Sequence, residues 1–286
     1  MLAIIGTLVI VGSVFGGFAL GGGHLAALIQ PLEVLMIGGA AIGAFVASNP
    51  LKVVKATLAA LPGTFRGSRY SKAMYMELMA LLYDLLSKTR KEGMMSIERD
   101  VEAPAESALF GKYPKVQSDH HLVEFLTDYL RIMVSGNLNA FEIENLMDNE
   151  IETHHHEAEI PSHAVQRIGD GLPAFGIVAA VMGVVHTMES VGAPPSELGM
   201  MIAHALVGTF LGILLAYGFA APLAAILAQS AGEATKVLQT VKVTLLASLN
   251  GYVPALAVEF GRKVLYTTER PSFQELEDHV KQAKAA

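Results

Sequence analysis

The chain has 286 residues, of which 52% are hydrophobic and only 16% charged, where soluble domains carry about 25%, and its mean hydropathy is +0.44. A formal net charge of −7 offers nucleic acid no basic surface. The absence of cysteine excludes disulfides, thiolate nucleophiles and thiolate-bound zinc.

Charge is unevenly placed. From Met1 to Leu51 the one Asp, Glu, Lys or Arg is Glu33, and from Gly171 to Gly232 only Glu189 and Glu197 interrupt the apolar sequence. Each block is long enough for two membrane spans of about 20 residues. Gly21, Gly22, Gly23 and Pro31 divide the first block into spans 2–20 and 32–49. The turn from Val191 to Leu198 divides the second into spans 172–191 and 200–227. Because Met1 leads into the apolar run with no basic stretch and a second span follows at once, the first segment reads as a retained span rather than a signal peptide. All 20 Lys and Arg fall within 52–167 and 236–284. Lys52, Lys55 and Arg167 lie close to span ends, so both charged regions, and with them both termini, are expected in the cytoplasm.

Within the first charged region, Asn49-Pro50 reads as an N-cap followed by proline at the first helical position. The helix it opens sets Leu51, Val54, Leu58 and Leu61 opposite Lys52 and Lys55, suits the inner membrane surface, and ends at Pro62-Gly63. Residues 71–93 place Met74, Leu78, Leu81, Leu82 and Leu85 on one stripe, with Gly93 as the stop. A second bundle helix over 119–135 buries Leu122, Phe125, Leu126, Tyr129, Leu130 and Met133, and a third opens at Asn139 with Glu142 completing a capping box. That third helix is expected to run on towards Gly169. After the last span, helices at 233–249 and 254–267 are separated at Gly251. The fold class is therefore all-α: a polytopic membrane protein with four transmembrane helices and a helical cytoplasmic domain. Its segments are 1–49 (transmembrane helices 1 and 2), 50–170 (cytoplasmic), 171–228 (transmembrane helices 3 and 4) and 229–286 (C-terminal cytoplasmic helices).

Few membrane residues can carry chemistry. Glu33 is expected at the outer end of its span, its charge facing the positive helix terminus, which leaves the chain with no mid-membrane carboxylate. His186 and His204 titrate in the range of a proton relay but are equally suited to interfacial hydrogen bonds. Thr209, between Gly208 and Gly212, either faces a closely packed partner helix or bonds its own backbone. Pro173 reads as the start of span three and Pro222 as a hinge inside span four. The run Glu152, His154, His155, His156, Glu157 and Glu159 lacks an H-E-x-x-H spacing and reads as a solvated helix face, with no metal site. Hydrolase and P-loop motifs are absent, so no enzyme and no cofactor are expected.

The run from Gly169 through Leu172-Pro173-Ala174-Phe175 to His186, and the run His204-Ala-Leu-Val-Gly-Thr-Phe-Leu-Gly212 onward to Gly218 and Pro222, resemble the motility protein A family of bacterial flagellar motor stators. The resemblance extends to Lys72-Ala-Met-Tyr-Met76, Glu98-Arg-Asp100, Asn250-Gly-Tyr252 and Val258-Glu-Phe-Gly-Arg-Lys263. It implies an inner-membrane, multi-pass proton-channel subunit, a homopentamer surrounding a dimer of motility protein B, whose single span supplies an aspartate and whose outer part grips peptidoglycan. Five copies around two helices cannot satisfy both symmetries, so successive protonations would advance the ring by about a tenth of a turn. By the same resemblance Pro173, Ala180, Thr209 and Pro222 belong to ion path and coupling, and Arg90 and Glu98 meet the rotor switch protein. Sodium-type relatives tend to carry threonine where this chain has Ala180, which implies proton drive. An alternative within the same chemistry is a stator-like channel powering another envelope machine.

Overall fold

A computed structural model describes residues 2–65, 67–136 and 139–285; Met1 and Ala286, the outer limits of the expected segments, lie outside them. In chain order the helices are α1 (Leu2–Leu20), α2 (Pro31–Ser48), α3 (Leu51–Ala60), α4 (Lys72–Glu92), α5 (Glu98–Glu102), α6 (Ala108–Gly111), α7 (Pro114–Gln117), α8 (His120–Ser135), α9 (Ala140–Glu189), α10 (Pro195–Ile213), α11 (Ala221–Leu249), α12 (Pro254–Val264) and α13 (Phe273–Ala285). Among the described residues there is no strand. Four helical stretches are long and apolar enough to cross a membrane: Leu2–Leu20, Leu25–Ser48, and parts of Ala140–Glu189 and Pro195–Leu249. The protein is thus an all-α, four-span membrane protein.

The helix ends follow local chemistry. Ser71 accepts from the Met74 amide to start α4, and Gly93, at φ +89, stops it. Asp119 caps α8 through the Leu122 amide, and Gly136 ends it in the left-handed conformation. The capping box forms as expected, with Asn139 N donating to Glu142 Oε2 at 2.9 Å and Glu142 N to Asn139 Oδ1 at 3.0 Å. Asn49 departs from expectation. Its side chain donates back to Phe45 O at 2.8 Å, closing α2, and Pro50 rather than Asn49 is the residue before α3. An amide side chain satisfies an orphan carbonyl as readily as an orphan N–H.

Two compact units divide the chain. One comprises 68–157 with 231–286. Its core holds every residue expected on the α4 and α8 stripes, joined by Ile143 and Met147 of α9, Val237, Val241 and Leu245 of α11, and Ala257 and Val258 of α12. Two polar side chains at its margin are firmly paired. Tyr129 donates to Glu150 Oε2 at 2.7 Å, and Arg262, only 7% exposed, is held by Glu259 at 2.6 Å and by the Pro271 carbonyl. That guanidinium in turn holds the Glu259 carboxyl below its usual range.

The other unit comprises 1–67 with 158–230. No residue of α1 is buried within the chain, and Leu51 and Leu58 of α3 stay exposed, as helices facing lipid require. Ile37 and Ala41 of α2 pack with Leu172 and Ala179 of α9 and with Ala216 and Ala220. Between α10 and α11 the chain makes a π-helix over Leu214–Ala220. Proline at 222 cannot donate to the preceding turn, and a widened turn ahead of it accommodates that loss within one continuous helical rod.

Candidate functional site

Pro173 was expected to open a span, but it lies inside α9, as does Pro161. The helix runs on through both prolines; beside Pro161, Ser162 Oγ donates to Ala224 O at 2.8 Å, and the small residues beyond let a second helix press close. That close approach makes the site. A Cβ built on Gly176 would stand 2.8 Å from Gly208 O and 3.1 Å from Gly212 Cα. One on Gly212 would stand 2.7 Å from Leu172 O, one on Gly183 2.6 Å from Ala205 Cβ, and one on Gly169 3.2 Å from Ala220 Cβ. The contacts run in opposite order along the two segments, so α9 meets α10 and the π-helix as an antiparallel seam with little side chain between the backbones.

The seam orders the expected ion-path residues. Ala180 lies across from Gly208: a Cβ there would be 3.2 Å from Ala180 N and 3.1 Å from Ala179 Cβ. Thr209 follows directly, half-buried, and among the described residues its hydroxyl has no hydrogen-bond partner. Thr187 in the same unit differs, since it is fully buried and donates to Gly183 O at 2.9 Å. Of the two readings of Thr209, the bond to its own backbone is therefore not made. Pro173 lies further along the seam, beside the Leu172–Gly212 contact, and Pro222 further still, exposed, near the level where Gly169 faces Ala220. The seam sets Ala180 across from Gly208, the residue before Thr209, and the two prolines lie further along the same pair of helices.

Glu33 keeps its expected place in the first turn of α2, but its burial was not legible in the sequence. The residue is 7% exposed, and its Oε2 lies where a Cβ on Gly208 would come within 2.6 Å of it. Among the described residues that buried oxygen has no hydrogen-bond partner. The one signal in the sequence was that Glu33 is the sole charge in its block; the missing Cβ at Gly208 that makes room for it belongs to a helix far away in sequence.

The remaining candidates separate. His186 lies in the last turn of α9, exposed and 3.4 Å from Glu189, and His204 is half-buried on α10. Arg90 in the last turn of α4 and Glu98 at the start of α5 are both exposed, and among the described residues neither makes an ion pair. The histidine run is not the solvated face expected of it. His154 stacks on His121 with ring centroids 4.3 Å apart, and burial pushes its pKa down; His155 Nδ1 meets Thr235 Oγ1 at 2.9 Å. Of the three rings only His156 points outward, and with Glu152 and Glu157, also exposed, it makes the part of the run that is solvated as expected. The three rings leave the helix in different directions, as consecutive residues must.

Comparison with known proteins covers the whole chain. Residues 4–93 match the family model described as motility protein A N-terminal, and residues 117–240 match that of the MotA/TolQ/ExbB proton channel family. Motility protein A of Salmonella typhimurium is 59% identical over 281 residues, 98% of this chain and 95% of the relative. Its Escherichia coli counterpart is 58% identical over 284 residues, 99% and 96% of the two chains, and the chemotaxis protein LafT of Vibrio parahaemolyticus is 39% identical over 97% of each. Among solved structures, the C. jejuni MotAB structure superposes with a TM-score of 0.79 at 21% identity, over 94% of this chain and 98% of that one. The flagellar MotAB stator complex from Bacillus subtilis gives 0.76 at 24% identity, over 96% and 98%. At these identities the likeness is one of fold.

Proposed function

The chain belongs to the motility protein A family, and from that premise we propose that it is a stator subunit of a bacterial flagellar motor, forming a proton channel together with motility protein B. The observation that carries the reading is the close seam of α9 and α10, where Ala180 lies across from Gly208 and the next residue, Thr209, has an unbonded hydroxyl, in a segment matching the proton channel family. The outward faces of these two helices, with Val181, Met182, Val185 and Leu206 exposed, are apolar surfaces fit for other membrane helices.

In this reading five copies ring a dimer of motility protein B in the inner membrane, with 50–170 and 229–286 in the cytoplasm and both termini inside. The partner's aspartate takes the proton and Thr209 offers a hydroxyl that can both donate and accept beside it. Pro173 and Pro222 let the two rods respond to the change of charge, and Arg90 and Glu98 face the rotor switch protein. Each proton carried inward releases about 2.3 kcal/mol per 100 mV of membrane potential.

The test is complementation of a flagellated strain lacking its own A subunit, paired with proton flux in vesicles. Swimming is restored only when motility protein B is present, and vesicles holding this chain alone stay tight, because no acceptor then carries the proton past Thr209. Flux through the chain alone, or no rescue by both subunits together, would refute the proposal.

A further inference from the structure

A buried carboxyl with one oxygen unpartnered is expensive to keep ionised. Glu33 is 7% exposed, its Oε2 rests in the notch left by the missing side chain of Gly208, and Ala179 Cβ and Ala180 N close the other side of that notch. The titratable residues of this unit's outer half are His24, before the short helix Leu25–Leu28; His186 and Glu189 on α9, which face each other at 3.4 Å; and Glu197 and His204 on α10; none of the five bonds to Glu33. Gly208 directly precedes Thr209, so the carboxyl stands at the level of the hydroxyl assigned to the ion path and on the outer side of it.

We propose that Glu33 is a proton-holding residue of the channel, an outer station belonging to this chain that loads the path beside Thr209. The inference deepens the stator reading and rests on it. As the neutral acid, Glu33 gives the proton on its carboxyl to water at Thr209, from which the partner's carboxylate takes it. The Glu33 carboxylate left behind is then reprotonated from water on the outer side. Only O–H bonds form and break, and one proton moves inward per cycle.

Two variants separate this from a packing role: Glu33→Gln, which keeps the shape and loses the proton site, and Glu33→Asp, which keeps the acid. In a strain carrying motility protein B, both are expected to reach the membrane and bind the partner in wild-type amounts. At low load, where ion supply limits rotation, E33Q falls on the order of tenfold in speed at external pH from about 6 to about 8, while E33D turns near the wild-type speed. E33Q turning at wild-type speed across that range overturns the proposal, as does E33D failing together with it. A second measurement holds even where a variant does not assemble. Infrared difference spectra of the wild-type complex in vesicles should show a protonated carboxyl stretch that vanishes as pH rises and shifts in E33D; a spectrum in which no such band moves with E33D overturns it. Failure of the wild-type chain to restore swimming would count against the stator reading, and the infrared band would then decide Glu33 by itself.

Discussion

At the scale of the residue, the site depends on side chains that are absent. Gly176, Gly208 and Gly212 let two backbones approach until the added methyl of an alanine would overlap a carbonyl oxygen or an α-carbon. Gly212→Ala puts a Cβ 2.7 Å from Leu172 O and 2.9 Å from Gly176 Cα, neither of them the flexible end of a side chain. The helices must part, at about 1–3 kcal/mol. Gly38→Ala on α2 meets nothing within 4 Å and gains helix propensity, so it should leave stability level or slightly raised by up to about 1 kcal/mol. The check is the thermal midpoint of each purified variant in one detergent, and equal midpoints would show that the seam is not tight. The glycines were legible in the sequence as close-packing residues, yet which pairs meet was not. Glu33 shows the consequence: composition marked it as alone, and only the notch at Gly208 reveals that it is buried.

Helix starts and stops were largely written in local chemistry, since a Ser71, Asp119 or Asn139 cap and a glycine with positive φ act within four residues of themselves. Continuity was harder to read. Pro161 and Pro173 would kink or break an isolated helix, yet α9 runs through both, packed against distant residues such as Ala224. The π-helix before Pro222 is a similar response to a residue whose hinge potential was visible but whose geometry was not. Helices α5, α6, α7 and α13 carry too few periodic positions to be read from the sequence, and the first three are each only four or five residues long. The element carrying Arg90 and Glu98 lends itself to a direct test. Gly93 fixes the turn between α4 and α5, both side chains are exposed, and exposed charges contribute only about 0–1 kcal/mol to stability. Reversing both charges should therefore leave membrane level and partner binding unchanged while motility is lost, with partial recovery when the opposing rotor charges are reversed. A double variant absent from the membrane would instead assign these residues to folding.

For the molecule as a whole, the four spans were legible because lipid tolerates so little charge, and family resemblance supplied what periodicity could not. The last question at this scale is which ion drives it, and Ala180 bears on the answer. A sodium ion must exchange its water for several fixed oxygen ligands, as metal cations of the hard class do. Around the notch the seam offers an alanine methyl and glycine backbone, with the Thr209 hydroxyl and the Glu33 carboxyl as its side-chain oxygens, fewer than a dehydrated sodium ion requires, whereas a proton needs only a hydrogen-bonded path and an acceptor. Rotation of tethered cells should accordingly persist in sodium-free medium and stop when an uncoupler collapses the proton gradient. Speed that follows external sodium at fixed pH would overturn the assignment. Ala180→Thr should not convert the channel, because it adds one oxygen where a sodium site requires several, and the added side chain must also fit against α10 across from Gly208. The variant is expected to turn more slowly on protons and to remain indifferent to sodium, both read from the same tethered cells.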